Sequence, residues 1–71
     1  MIMSNINNTE QAILAAYTAI RSRADLFLDE KNIFETNWKL EDRHEIGDAM
    51  YEVAEQFAEL FNIKGIKNKL Y

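Results

Sequence analysis

Apolar residues recur along this chain at spacings of four, three, four and three. Ile13, Tyr17, Ile20, Ala24 and Phe27 carry one such run, and Ile46, Met50, Val53, Phe57 and Leu60 carry a second. Alternation with a period of two, the mark of a half-buried strand, is scarce. The spacing is that of an apolar stripe on an α-helix, close to a coiled-coil seam. It predicts a first helix over 8–32 and a second over 40–64. A frayed lead-in occupies 1–7, a connection 33–39 and a short tail 65–71.

Local signals place the ends. Asn8 with Gln11 three residues later reads as a cap and a variant of the capping box. Ala12, Ala15, Ala19 and Leu26 fall outside the first stripe. Alanine stands there either simply as a good helix former, or to let a second helix approach from another side. Residues 31–40, KNIFETNWKL, break the pattern with Asn32, Thr36 and Asn37, which cost helix stability but cap well. Ile33, Phe34, Trp38 and Leu40 make the connection apolar, so it is expected to fold over the end of a bundle. Phe34 and Trp38 also continue the first stripe, and a longer first helix turning near residue 39 is the alternative. At the other end, Phe61-Asn62-Ile63-Lys64-Gly65-Ile66 reads as a Schellman stop, with Gly65 left-handed and Ile66 against Phe61. Lys64 suits the negative end of the helix dipole.

Two amphipathic helices with a short link make an antiparallel hairpin, an all-α fold in a single domain. A lone hairpin leaves half of each stripe wet. A chain of 71 residues also has a core that rarely supplies more than ~3–5 kcal/mol. With no cysteine, disulfides and thiolate metal sites are excluded as remedies. The expectation is therefore a homodimer, two hairpins pairing into a four-helix bundle through Ile13, Tyr17, Ile20, Ala24 and Phe27 with Ile46, Met50, Val53, Phe57 and Leu60. In architecture this is similar to the Rop-type plasmid regulators, which are dimers of helical hairpins. The RNA binding of that family is not expected here, because neither helix carries a basic face.

Charge narrows the partner. A net charge of −4 disfavours nucleic acid and anionic membranes. No apolar run approaches the ~20 residues of a membrane span. The start MIMSNINN lacks the basic and apolar regions of a secretory signal, so a cytoplasmic location is expected. Glu41, Glu45, Asp48, Glu52, Glu55 and Glu59 repeat at 4, 3, 4, 3 and 4 opposite the second stripe. They form an acidic line about 27 Å long. Arg43 stands at its margin, and Tyr51 and Trp38 flank it as aromatic candidates for an interface.

That line supports three readings. Glu41-x-x-His44 matches the Glu-x-x-His pair of di-iron bundles, but on this helix it would face solvent. Glu45-Ile46-Gly47-Asp48-Ala49-Met50-Tyr51 resembles the Glu-x-x-Asp segment of all-α nucleotide pyrophosphohydrolases. That resemblance spans about a dozen residues and implies Mg²⁺ held by Glu41, Glu45, Asp48 and Glu52. The Glu-x-x-Glu of that family on an earlier helix has no counterpart here. The third reading is a solvated face. Like charges at i,i+4 cost ~0.2–0.5 kcal/mol each, so a run without counter-charges suggests a use, docking a basic protein surface. The sequence points first to a non-enzymatic interaction protein of the regulator, inhibitor, adaptor or chaperone kind, without cofactor or metal. Its size fits a phage or plasmid accessory protein. It docks its partner through Glu41, Glu45, Asp48, Tyr51, Glu52, Glu55 and Glu59. The alternatives are the Mg²⁺-dependent hydrolase and a purely structural oligomer subunit.

Overall fold

The computed structural model describes residues 6–33 and 37–70. Helix α1 spans Asn8–Leu28, α2 spans Leu40–Leu60, and a short α3 spans Ile63–Asn68. No strand occurs among the described residues. The two long helices pack against each other as a hairpin, and α3 folds back against both.

The start of α1 lies one residue earlier than the expected cap. Asn7, not Asn8, accepts from the Glu10 backbone N–H, and Glu10 returns the bond to the Asn7 N–H at 3.1 Å. This reciprocal pair satisfies two of the helix's orphan donors, and glutamate makes it with a stronger acceptor than Gln11 would. Ile6, just before the cap, is buried, so the frayed lead-in does not extend to residues 6 and 7. The rest of that expectation, over 1–5, lies outside the described residues.

The end of α1 comes at Leu28, four residues short of the expected 32. Its last carbonyls are taken by side chains from beyond the helix. Asn32 donates to the Leu26 carbonyl at 2.9 Å, and Arg43 Nη2 donates to the Asp29 carbonyl at 2.5 Å. Arg43 is therefore not at the margin of the acidic face. It is 6 % exposed, turned inward under the connection, and its Nε has no hydrogen-bond partner among the described residues. Trp38 packs edge-on against Phe27 with ring centroids 6.2 Å apart, so the connection does fold over this end of the hairpin. Phe34 and Thr36 lie outside the described residues.

The stop of α2 differs from the Gly65 signal. The helix ends at Leu60, and the left-handed residue is Asn62, with φ 55°. Asparagine is the side chain best able to replace glycine there. Once the chain has turned at Asn62, its side-chain oxygen accepts from Gly65 N–H at 3.2 Å and caps α3. Gly65 is needed for closeness instead: a Cβ there would collide with the Asn62 side-chain amide. The short tail expected over 65–71 is docked, its first residues as part of α3. Ile63 and Ile66 are buried, and Lys69 pairs with Glu10 at 2.6 Å. Lys69 first, and the Asn7 N–H second, hold the Glu10 carboxyl below its ordinary value of 4.5.

The contact between the long helices is made by small residues. Ala24 and Ala54 are essentially inaccessible, and Gly47 is buried. Tyr17, Ala54 and Ile63 form the core, with Ile13, Leu14, Ile20, Phe57 and Ala58 packed around them. No large side chain is fully enclosed among the described residues. The result is a slab of 43 × 25 × 17 Å with a radius of gyration of 14.7 Å. A chain of this length folded around a full core would have a radius of about 11 Å. One layer of helices has been built, where stable domains have two.

Candidate docking surfaces

Because α2 turns Arg43, Gly47 and Ala54 toward α1, its opposite face is fixed by helical geometry. Glu41, Glu45, Asp48, Glu52, Glu55 and Glu59 all lie on that outer side and are all exposed. No ion pair reaches any of the six among the described residues. They stand in a row along one helix rather than around a point. Nowhere among the described residues do three His, Asp or Glu side chains converge as metal ligands. His44 lies aside from the row, 3.6 Å from Glu30.

Tyr51 is half-buried and turned away from the acidic line. Its hydroxyl donates to the Asp25 carboxylate of α1, and the Arg21 guanidinium lies over its ring at 5.5 Å. Arg21 also lies over Tyr17 at 5.8 Å and donates to its hydroxyl at 3.4 Å. Tyr51 thus ties α2 to α1 on one side of the hairpin.

The other side is apolar and only partly covered. A residue turns the helix by about 100°, so Val53 lies about 160° round from Tyr51, and Phe27 about 160° round from Asp25. Two stripes with a seven-residue spacing share this side: Ile13 and Ile20 on α1, followed by Phe27, which is already buried and meets Trp38, and Ile46, Val53 and Leu60 on α2. Val53 is 52 % exposed and Leu60 78 %, while Ile13, Ile20, Ile46, Met50 and Phe57 are half-buried. Trp38 and Phe61 add exposed aromatic surface toward the two ends. Phe61 meets the Phe57 ring at a tilt of 41°, with centroids 4.6 Å apart. Ala12, Ala15 and Ala19 are exposed.

A third feature is an open cleft of about 610 Å³ between α1, the end of α2 and α3. Tyr17 and Ile63 line its floor, and Glu59, Lys64 and Lys67 its edges. Lys67 reaches over the Tyr17 ring at 5.4 Å. The cleft is the seam where α3 docks. Its cations make the C-terminal end basic against an acidic α2.

Compared with known protein families, with curated proteins and with solved structures, the chain finds no match. No described helix is long and apolar enough to cross a membrane. The inward positions of α2 were not legible in its apolar pattern. Arg43 and Gly47 read as polar and neutral positions beside the stripe, and the signal available was smallness, Gly47 and Ala54 at a spacing of seven.

Proposed function

We propose that this protein is a non-enzymatic interaction module. It pairs with a second copy into a four-helix bundle and docks a basic protein surface through the outer face of α2. The observation that carries the reading is the row of six exposed carboxylates, free of ion pairs among the described residues. Seven acidic residues and one buried arginine share the 21 residues of α2. Natural surfaces intersperse signs, because isolated rows of like charge repel. Such a row steers a positively charged surface toward it and makes association sensitive to salt. The dispersal of the carboxylates along a line suits a surface, not an ion.

The test compares the chain with the Glu52→Lys/Glu59→Lys variant as bait in extracts of its own source cells. The expected result is capture of a protein with a basic surface, weakening as ionic strength rises and lost in the variant. Equal capture by both baits would overturn the reading.

A further inference from the structure

The partly covered apolar side, with Val53 and Leu60 exposed on it, calls for an occupant, and we infer that it is a second copy of this chain, seated face to face with α1 against the partner's α2. This rests on the bundle reading above and deepens it by assigning the surface and the orientation.

The surface area supports a protein-sized cover. A folded monomer of 8.3 kDa exposes about 4,600 Å², and this chain exposes 5499 Å². Val53 and Leu60, 52 % and 78 % exposed, are part of that surface. Each partner of a standard stable interface covers about 800 Å². The shape of the apolar side is self-complementary in kind. Two parallel rows of branched and aromatic side chains at heptad spacing are what a bundle seam requires. A second hairpin offers the same rows at the same 21-residue length.

Charge decides the orientation. Two identical slabs stacked on these faces with two-fold symmetry have two choices. With the axis across the helices, α2 lies on the partner's α2 and the connections point to opposite ends. With the axis along the helices, α2 lies on the partner's α1 and both connections share one end. Helix α2 carries seven carboxylates against Arg43, whereas α1 carries Glu10 and Asp25 against Arg21 and Arg23. The first choice places two strongly acidic helices side by side. The second sets each beside a neutral helix and moves the two acidic helices to the diagonal. The dimer then displays two docking lines facing opposite ways, and both Trp38 residues gather at one end.

Two measurements on the full chain test this. The first is mass by sedimentation for the wild type and for Val53→Asp/Leu60→Asp, with helix content followed by circular dichroism. Both side chains are exposed and neither belongs to the hairpin's buried core, so a folded monomer is expected from the variant and a dimer from the wild type. A monomeric wild type at high concentration, or a variant that stays dimeric, would overturn the proposal. The second attaches a spin label to Lys31→Cys, the only thiol the chain would then contain. Connections at one end place the two labels roughly 15–25 Å apart, a few interhelical spacings. A distance near the 43 Å long axis would overturn the orientation. Neither readout involves the basic partner, and Glu52→Lys/Glu59→Lys is expected to keep the dimer mass, so failure of docking and failure of pairing are separable.

Discussion

Gly47 of α2 packs directly against the Leu28 side chain of α1. A Cβ on Gly47 would lie 2.6 Å from Leu28 Cγ and 3.3 Å from the Ala24 carbonyl oxygen. Two effects oppose each other at this site. Alanine is favoured over glycine in a helix by about 1 kcal/mol, while overpacking costs about 1–3 kcal/mol. Leu28 cannot give way by moving only its tip, because its branch carbon is what the new atom meets. Gly47→Ala is therefore expected to destabilise the fold by up to about 2 kcal/mol. In a Leu28→Ala background the contact with Leu28 is gone and only the tight approach to the Ala24 carbonyl oxygen remains, so the same change is expected to stabilise, by less than about 1 kcal/mol. Urea unfolding of the four proteins reads this change of sign.

Asn62 carries the turn from α2 to α3 at φ 55°, and its side chain caps α3 through Gly65 N–H. Asn62→Gly keeps the backbone freedom and loses only the cap, so its cost is expected to stay below that of Asn62→Ala. The alanine variant adds the left-handed strain of about 1–2 kcal/mol. Thermal melts rank the two. Equal losses would mean that the cap, and not the backbone, governs the turn.

The stripes Ile13-Ile20-Phe27 and Ile46-Val53-Leu60 stand out in the sequence because apolar periodicity marks apolar helix surface whether or not the chain covers it. That same signal hid the hairpin's internal contact. Tyr17 and Ala24 of the first stripe do lie in that contact, but on α2 close approach is made by what is missing from Gly47 and Ala54, and a hydrophobic pattern does not register missing atoms. Arg43 was hidden for a related reason. Its long stem lets it sit on the inner face while its guanidinium reaches the Asp29 carbonyl. Gly65 carried the strongest stop signal, yet Asn62 can adopt the left-handed turn and also cap α3. The acidic line was legible as exposed because it lies opposite both the stripe and the inner face.

Arg43 closes the hairpin by capping the end of α1 from the first turn of α2. Hydrogen bonds to charged groups contribute about 1.5–3 kcal/mol, and Arg43→Ala is expected to lose about that much. Arg43→Met keeps the stem and removes a buried charge whose Nε lacks a partner among the described residues. It is expected to lose less than alanine does. Chemical unfolding of the two variants checks the order, and a methionine variant as weak as alanine would show that the guanidinium hydrogen bond outweighs the packing of the stem.

The Glu10–Lys69 pair joins the start of α1 to the residue after α3, so docking of α3 is coupled to pH. The folded-state pKa of Glu10 is lowered, chiefly by Lys69. Its contribution is therefore present above the unfolded value and is lost as pH falls through the lower folded value. Glu10→Gln retains an acceptor for the Asn7 N–H and removes the charge. Melts of wild type and variant are expected to differ at neutral pH and to converge in acid, below the ordinary glutamate range. A gap that persists unchanged into acid would assign the loss to the amide itself.

The row of carboxylates on α2 makes its own prediction about stability. Glu55 and Glu59 lie in the C-terminal half of the helix, whose last turn holds no basic residue. A negative charge there opposes the dipole, and a positive one is worth about 0.3–1 kcal/mol at an exposed site. Glu59→Lys also ends the repulsion from Glu55 at i,i+4, about 0.2–0.5 kcal/mol. The variant is expected to melt higher than the wild type at low ionic strength, with the gain shrinking as salt screens it. In the docking reading the same change weakens partner capture. A residue whose replacement stabilises the fold and impairs binding is held in place by the partner, whereas a merely solvated face would gain stability and lose nothing. Measuring melting temperature and capture on this one variant therefore separates the two origins of the acidic line.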